Sequence, residues 1–326
     1  MKYVSVLIPE GDISLSNVEG LHHIFAETNK AVMKEGKPPA FFFQLVGKRS
    51  NNQLKENFFS IHPSRLITED FKTDLLIIPA LHGDVLGNME HNKDLIPWII
   101  SQYRNGAEVI SLCTGAFLLA STGLLDGKKC TTHWAHADDF RRLFPDAELV
   151  KDEIMTNEKG IYTSGAAYSY LNLILYLINK YTSHQVMVFI AKVFAIDVDR
   201  QKQSHFIIFE GYKNHKDESV LQVQEFIETN YQQKLTVDQL AGMVNLGRRN
   251  FERRFKVATA TSVVEYIQMV KVEAAKKLLE SGVRNINEVM YDTGYNDTKS
   301  FRDVFKRITG MSPLGYRNHF NREMVY

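Results

Sequence analysis

The stretches TVDQLAGMVNLGRRNFERRFKVATATSVVEYI (residues 236–267) and NINEVMYDTGYNDTKSFRDVFKRITGMSPLGYR (residues 285–317) are two copies of one pattern. The same residue types return fifty positions later, where Phe251, Phe255, Thr259, Ser262 and Tyr266 are followed by Phe301, Phe305, Thr309, Ser312 and Tyr316. A repeat of this kind indicates one supersecondary unit that the chain uses twice.

Each copy predicts a helix, a tight turn and a second helix. The first helix opens with a capping signal in both copies, Thr236 with Gln239 and Asn285 with Glu288, and it breaks at NLG or TGYN. A second helix then follows, in which two Phe residues stand four positions apart, as they do on one face of a helix. We therefore expect two helix-turn-helix units.

A long helix is predicted between the two copies. Ser262 with Glu265 predicts a further capping box, and apolar residues keep helical spacing from position 263 to 278. Gly282 then ends the helix.

In the second helix of each copy, basic residues surround the two Phe residues. The cations are Arg248, Arg249, Arg253, Arg254 and Lys256 in the first copy, and Lys299, Arg302, Lys306 and Arg307 in the second. Arginine can bond guanine O6 and N7 together, and other cations can contact phosphates. Residues 219–326 hold 16 Lys and Arg against 12 Asp and Glu, while the rest of the chain holds 23 against 26. These features favour DNA binding over the alternative, which is an ordinary solvated helix face.

The N-terminal part alternates predicted strands with predicted helices. The strands are expected at 3–8, 41–46, 75–78 and 108–112, and the helices at 17–34, 93–104, 115–121 and 167–180. This alternation predicts an α/β domain with a wound, mostly parallel sheet. The polar stretch GYKNHKDES at 211–219 is the predicted linker between a domain at 1–210 and an all-α domain at 220–326.

The composition is that of a globular protein, with 44% hydrophobic and 24% charged residues and a net charge of +1. The N-terminus does not resemble a signal peptide, and the apolar run at 170–178 is roughly half a membrane span and contains Asn172. Two cysteines are too few for a disulfide framework. We therefore expect a cytoplasmic protein.

The segment VISLCTGAFLLASTGLLDGKKCTTHW at 109–134 predicts a strand that turns sharply into a helix at Cys113. Such an elbow places the side chain at a helix N-terminus, where the helix dipole favours a thiolate. A nucleophile is one interpretation, and a small buried cysteine packed behind the helix is the other.

Residues 222–320 resemble the DNA-binding region of the AraC/XylS family of transcription regulators, and the stretch at 294–317 carries that family's closing signature. The resemblance implies that the second helix of each unit enters the major groove. The implied base-reading residues are Arg249, Glu252, Arg253, Thr298, Lys299 and Arg302, with Arg248, Lys306 and Arg307 as further DNA contacts. Gly247 stands where members commonly have a Ser cap.

Residues 3–205 resemble the PfpI-like branch of the class I glutamine amidotransferase-like superfamily, through the elbow, the HW pair at 133–134 and TSGAAYSYLNL at 163–173. The resemblance implies a flavodoxin-like fold with Cys113 at the nucleophile position. The implied pocket neighbours of Cys113 are Asn17, Glu19, Thr114 and His133.

Three departures from the superfamily's enzymes argue against catalysis. Thr114 stands where PfpI-type hydrolases have a His, and Asn17 stands where isonitrile hydratases have an Asp. The turn PALHGD at 79–84 has Ala80 and Leu81 in place of the glycines of an oxyanion turn. His133 stays open as an alternative base for Cys113.

The sequence therefore predicts a transcription regulator without enzyme activity, cofactor, metal or membrane association. Its expected partners are double-stranded operator DNA, a small-molecule effector, a second copy of the chain and, if it activates transcription, RNA polymerase. The resemblance suggests an amine or an amino-acid derivative as the effector. The alternative is a Cys-dependent hydrolase or hydratase with an appended DNA-binding domain.

Overall fold

The computed structural model describes residues 1–54, 59–199 and 202–321. The chain divides into two compact units, Met1–Gln203 and Ser204–Tyr326. None of the described helices is both long enough and apolar enough to cross a membrane.

The N-terminal unit is built on a seven-stranded sheet in the described part of the chain. Its strands in chain order are β1 (Lys2–Ile8), β2 (Phe41–Gly47), β3 (Asn52–Leu54), β4 (Phe59–Ile61), β5 (Arg65–Leu66), β6 (Leu75–Ile78), β7 (Glu108–Leu112), β8 (Lys129–Cys130), β9 (Glu148–Leu149), β10 (Met155–Glu158) and β11 (Ile161–Ser164). The sheet order is β10-β11-β7-β6-β1-β2-β5, while β3–β4 and β8–β9 form separate pairs. Every pair in the large sheet is parallel except β10–β11, so the predicted mostly parallel sheet is confirmed.

Seven α-helices lie in the described part of this unit. They are α1 (Leu15–Lys34), α2 (Val85–His91), α3 (Ile96–Arg104), α4 (Gly115–Ala120), α5 (Ala137–Leu143), α6 (Tyr170–Tyr181) and α7 (His184–Val193). Of these, α1, α3, α4 and α6 correspond to the four predicted helices, whereas α2, α5 and α7 were not predicted. Helix α3 begins later than predicted because Lys93–Leu95 form a 3-10 turn. Pro97 then lies in the first turn of α3, where its missing N–H costs no hydrogen bond.

The hairpin β10–β11 was not predicted. Each of its strands has only four residues and carries polar side chains, so neither forms a recognisable apolar run. Lys159 and Gly160 at its tip have φ values of 53° and 80°, as the two central residues of a type I′ turn require. The Lys-Gly pair was the sequence signal for this turn, and β11 proves important because it lies beside β7.

The C-terminal unit contains only helices in its described residues. They are α8 (Glu218–Asn230), α9 (Val237–Met243), α10 (Arg248–Thr259), α11 (Val263–Glu280), α12 (Ile286–Asp292), α13 (Thr298–Thr309) and α14 (Pro313–Phe320). The two predicted helix-turn-helix units are thus α9–α10 and α12–α13, and α11 is the predicted connecting helix. Two separate apolar cores support them, one around Phe251, Phe255 and Tyr266 and the other around Phe301, Phe305 and Tyr316.

The capping boxes at Thr236 and Asn285 are confirmed. The box at Ser262 forms only in part, since Ser262 accepts from the Glu265 N–H while the Glu265 carboxylate accepts from the Thr261 hydroxyl at 3.1 Å. A neighbouring hydroxyl competes for that carboxylate.

The division between the units lies before the predicted linker. Residues 204–210, assigned by sequence to the first domain, belong to the C-terminal unit. Within the predicted linker, Asp217 caps α8 and Tyr212 packs beside Phe209 and Tyr266. A polar sequence suggested a solvated connection, but its aromatic and charged groups find partners on the helices.

Candidate functional site

Cys113 lies at a strained turn between β7 and α4. Its φ is +53°, in the left-handed region that non-glycine residues rarely adopt. The Cys113 N–H donates to the Ser164 carbonyl and the Thr132 hydroxyl donates to the Cys113 carbonyl, each at 3.0 Å. The predicted elbow is therefore present, and hydrogen bonds on both sides hold it.

Gly115 allows α4 to begin directly against the end of β6. A Cβ at this position would lie 2.5 Å from the Pro79 carbonyl oxygen and 2.7 Å from that of Ile78. Both distances are shorter than any normal contact, so only glycine fits here. The elbow thus lies close against the turn that follows β6.

Two predicted pocket residues hold that turn. The Asn17 Oδ1 accepts from the Ala80 N–H at 3.0 Å, and the Thr114 hydroxyl accepts from the Leu81 N–H at 3.0 Å and donates to the Leu81 carbonyl at 2.7 Å. These are the backbone donors that an oxyanion turn would offer to a substrate. In this chain both N–H groups are already bonded to side chains.

The Cys113 thiol is buried, with 7% of its surface exposed. Burial raises its pKa to about 11, and hydrogen bonds from the Thr114 backbone and side chain offset only part of that effect. Burial thus opposes the thiolate that a position at the start of the six-residue α4 would favour, which agrees with the alternative of a small buried cysteine.

His133 is used to cap a short helix. Its Nδ1 accepts from the Ala135 N–H at 3.2 Å at the start of the 3-10 turn Trp134–His136. Burial, and then nearby His136, lower its pKa, which favours the neutral ring. With Nδ1 as the acceptor, the neutral ring carries its proton on Nε2.

Glu19 is separated from this cluster. It lies on α1 with a side chain that is 75% exposed, 3.8 Å from the His23 ring nitrogen. The structure thus brings Asn17, Thr114 and Cys113 together and leaves Glu19 at the surface.

Gln203 is a buried residue beside the elbow that sequence reasoning missed. It is fully buried, its Nε2 donates to the Lys151 carbonyl at 2.8 Å and the Thr132 carbonyl at 3.1 Å, and its Oε1 accepts from the Ala166 N–H at 2.7 Å. Nearby, among the described residues, the buried Ser164 and Ser169 hydroxyls lack a hydrogen-bond partner. No pattern in the sequence signals a lone buried Gln.

The second candidate site lies on α10 and α13. Residues 251–260 and 301–310 share the same order of buried, half-buried and exposed positions. Phe251, Phe255 and Thr259 face the first core, as Phe301, Phe305 and Thr309 face the second. The predicted reading residues Arg249, Glu252, Arg253, Lys299 and Arg302 are all exposed, and Thr298 is half-buried.

Four of the basic residues already have partners within the protein, among them Arg253, which donates to the Asn250 side-chain oxygen at 3.1 Å. Arg248 pairs with Asp238 at 3.1 Å, and Arg307 contacts Gln268 and lies 3.9 Å from Glu265. Arg254 makes two hydrogen bonds to the Asp217 carboxylate, at 2.9 and 2.8 Å.

Lys306 is exposed, as a phosphate contact requires. Gly247 begins α10 without a side-chain cap, whereas Asp297 caps α13.

Comparison with known proteins finds similarity in both units of the chain. Residues 240–319 match the helix-turn-helix domain family, and residues 55–180 match the DJ-1/PfpI family. The chain is 25% identical over 226 residues to the HTH-type transcriptional regulator GbdR of Pseudomonas aeruginosa, covering 69% of this chain and 61% of GbdR. It is 26% identical over 223 residues to the HTH-type transcriptional regulator CdhR of the same species, covering 67% of this chain and 65% of CdhR. The chain thus spans less than two thirds of the length of these curated relatives.

The fold of the N-terminal unit is shared with solved structures. A candidate transcriptional regulator from Vibrio parahaemolyticus superposes with a TM-score of 0.52 at 23% identity, covering 59% of this chain and 98% of that one. A THiJ/PfpI family protein from Pseudomonas syringae gives a TM-score of 0.50 at 14% identity, covering 79% and 90%. The chain is thus similar to the DJ-1/PfpI family over residues 55–180 and to the helix-turn-helix domain family over residues 240–319.

Proposed function

We propose that this protein is a transcription regulator that binds double-stranded operator DNA through α10 and α13 and responds to a small molecule bound by its N-terminal domain. The observation that carries the proposal is the identical burial pattern of residues 251–260 on α10 and residues 301–310 on α13. Each helix buries its Phe pair and turns a basic face to solvent. Two such helices suit two neighbouring segments of the major groove.

The exposed positions divide by the contacts they already make. Arg249, Arg253, Lys299 and Arg302 are exposed on the two reading helices and are the proposed base contacts, supplemented by the predicted Glu252 and Thr298. Arg253 must first leave the Asn250 side chain, and Arg248 and Arg307 must leave acidic or amide partners before they can contact a phosphate. We therefore assign Arg248 and Arg307 smaller contributions to affinity than the exposed Lys306.

The effector site is proposed at the carboxyl ends of the parallel strands, around Asn17, Cys113 and Thr114. Ligands of open α/β sheets bind at this edge. The unpartnered Ser164 and Ser169 hydroxyls supply hydrogen-bonding capacity for a polar ligand such as an amine or an amino-acid derivative. We further propose that the protein acts in the cytoplasm as a homodimer, and that it contacts RNA polymerase where it activates transcription.

The N-terminal domain is proposed to bind its ligand without converting it. The Ala80 and Leu81 N–H groups are bonded to side chains, the thiol is protonated at neutral pH, and His133 is engaged in a helix cap. Each of these removes one part of a Cys-dependent hydrolase.

DNA binding is tested by selecting bound fragments from the source genome and footprinting the complexes. One protein molecule should protect two segments about 34 Å apart on one face of the duplex, and affinity should fall steeply with salt. Protection of a single groove segment would contradict this arrangement.

One observation favours the alternative that the domain is an enzyme, namely the left-handed elbow at Cys113. The pH dependence of iodoacetamide alkylation separates the two. A pKa of about 11 predicts that alkylation of Cys113 rises only in that pH range, with about 100-fold less thiolate at pH 7 than for a thiol of pKa 9. Cys130, with a pKa raised to about 12, is the internal control. A midpoint near pH 7 for Cys113 would support the enzyme.

A further inference from the structure

The segment from Ser204 to Asp217, here called the strap, contacts both helix-turn-helix units of the C-terminal domain. At its first residue, the buried Ser204 hydroxyl donates to the Thr309 carbonyl at 3.1 Å, at the end of α13. Nearby, the Phe206 and Phe320 rings lie 5.9 Å apart. The strap thus begins on the second unit.

The middle of the strap is bound to α11 by a buried ion pair. Lys276 and Glu273 lie 2.8 Å apart with side chains only 5% and 12% exposed. Lys276 donates to the Ile207 carbonyl, and Glu273 accepts from the Phe209 N–H at 3.1 Å. Burying two charges is costly unless further hydrogen bonds satisfy them, and here the strap backbone supplies those bonds.

The end of the strap is bound to the first unit. The Tyr212 carbonyl accepts from the fully buried Gln224 of α8 at 3.1 Å. Asp217 then caps α8 and makes its two hydrogen bonds to Arg254, which lies on the reading helix α10. Because two nitrogens of the Arg254 guanidinium donate to the Asp217 carboxylate, the pair fixes the relative orientation of the two side chains as well as their distance.

We propose that the strap fixes the two reading helices relative to each other, and so sets the spacing of the two half-sites that the protein accepts. The two units have separate apolar cores and share α11. The strap adds a second connection, from the end of α13 across α11 to α10. Ser204, Glu273, Lys276 and Asp217 are therefore positioning residues for DNA recognition, although none of them belongs to the basic faces.

The test rests on the proposed DNA binding and uses the full chain. Wild type, Asp217→Asn and Ser204→Ala are titrated against three DNAs, namely the selected operator, that operator with one base pair inserted between the half-sites, and a single half-site. One inserted base pair shifts the second half-site by about 3.4 Å and rotates it by about 35°. Glu218→Gln, an exposed carboxylate-to-amide change at the next position, is the matched control.

Both strap variants should bind the single half-site within about twofold of wild type. Their affinity for the intact operator should fall about tenfold, and their preference for it over the inserted operator should shrink, because only simultaneous binding needs fixed helices. The control should behave as wild type. Asp217→Asn keeps an oxygen that can cap α8, and Ser204→Ala acts at the opposite end, so agreement between the two excludes a local folding defect.

Equal losses on all three DNAs, or no loss on the intact operator, would overturn the strap proposal. Failure of the wild type itself to bind a selected operator would instead overturn the proposed function.

Discussion

The two helix-turn-helix units have the same buried face and different exposed faces. At equivalent positions, Arg249 corresponds to Lys299, Glu252 to Arg302 and Arg253 to Asp303, whereas both Phe residues are retained. Packing restricts both copies in the same way, because the two Phe residues of each copy are buried in that copy's own core. The exposed faces are free of that restriction, which suits helices that read different base sequences.

The units also differ at their helix ends. Helix α10 begins at Gly247 without a side-chain cap and ends at Ala260 with φ +56°, whereas α13 begins at the capping Asp297 and ends at Gly310 with φ +78°. The N-terminal cap and the glycine at the C-terminal end both make α13 more stable than α10. The first reading helix is therefore the less stable by itself, and its contact with Asp217 compensates in part.

The largest effect is expected from the cores. Phe255→Ala and Phe305→Ala each remove a fully buried ring and should cost about 3–5 kcal/mol of unfolding free energy. Because the cores are separate, hydrogen exchange should accelerate mainly in α9 and α10 for the first variant, and in α12 and α13 for the second. Equal acceleration in both units would show that the cores act as one.

The exposed faces should give the next effect. Arg249→Ala and Arg302→Ala should each lose about 1–3 kcal/mol of discrimination, at different half-sites. Lys306→Ala should weaken binding to every sequence about equally and reduce the salt dependence. Competition binding between the operator and scrambled DNA measures both. The same specificity ratio for all three variants would contradict the assignment.

The N-terminal caps should give a smaller effect. Asp297 accepts from the Ser300 N–H, so Asp297→Ala should lower the unfolding free energy by about 1 kcal/mol. Gly247→Ser should raise it by roughly a few tenths of a kcal/mol. Denaturant unfolding measures both, with the exposed Asp303→Ala as the control for loss of a carboxylate. An equal loss in Asp303→Ala would show that charge, and not capping, is responsible.

A similarly small change in stability is expected from a substitution at the end of α10. Ala260 is in the left-handed region, so Ala260→Gly relieves strain and adds chain entropy to the unfolded state. These terms oppose each other, and the net gain should be roughly 0.5 kcal/mol in the same unfolding experiment. A loss of stability would mean that the Ala260 methyl group makes contacts that matter more than its backbone strain.

The amino-acid sequence by itself determined the elements whose signals are local. The repeat placed α9, α10, α12 and α13, and the apolar runs placed β1, β2, β6 and β7, because periodicity and capping depend on neighbours within a few residues. The elbow at Cys113 followed from the same kind of signal. The hairpin β10–β11 was missed because its strands are short and its only signal is a Lys-Gly turn.

Tertiary structure decided the properties that depend on residues distant in the chain. Whether Cys113 is a thiolate depends on burial, and whether Ala80 and Leu81 offer N–H groups depends on Asn17 and Thr114, which come from other elements. The first half of the strap was likewise assigned by sequence to the first domain, because Glu273 and Lys276, the partners of the Phe209 and Ile207 backbone, lie far along the chain on α11. Desolvation and long-range hydrogen bonds arise only when the chain has folded, so no local sequence pattern predicts them.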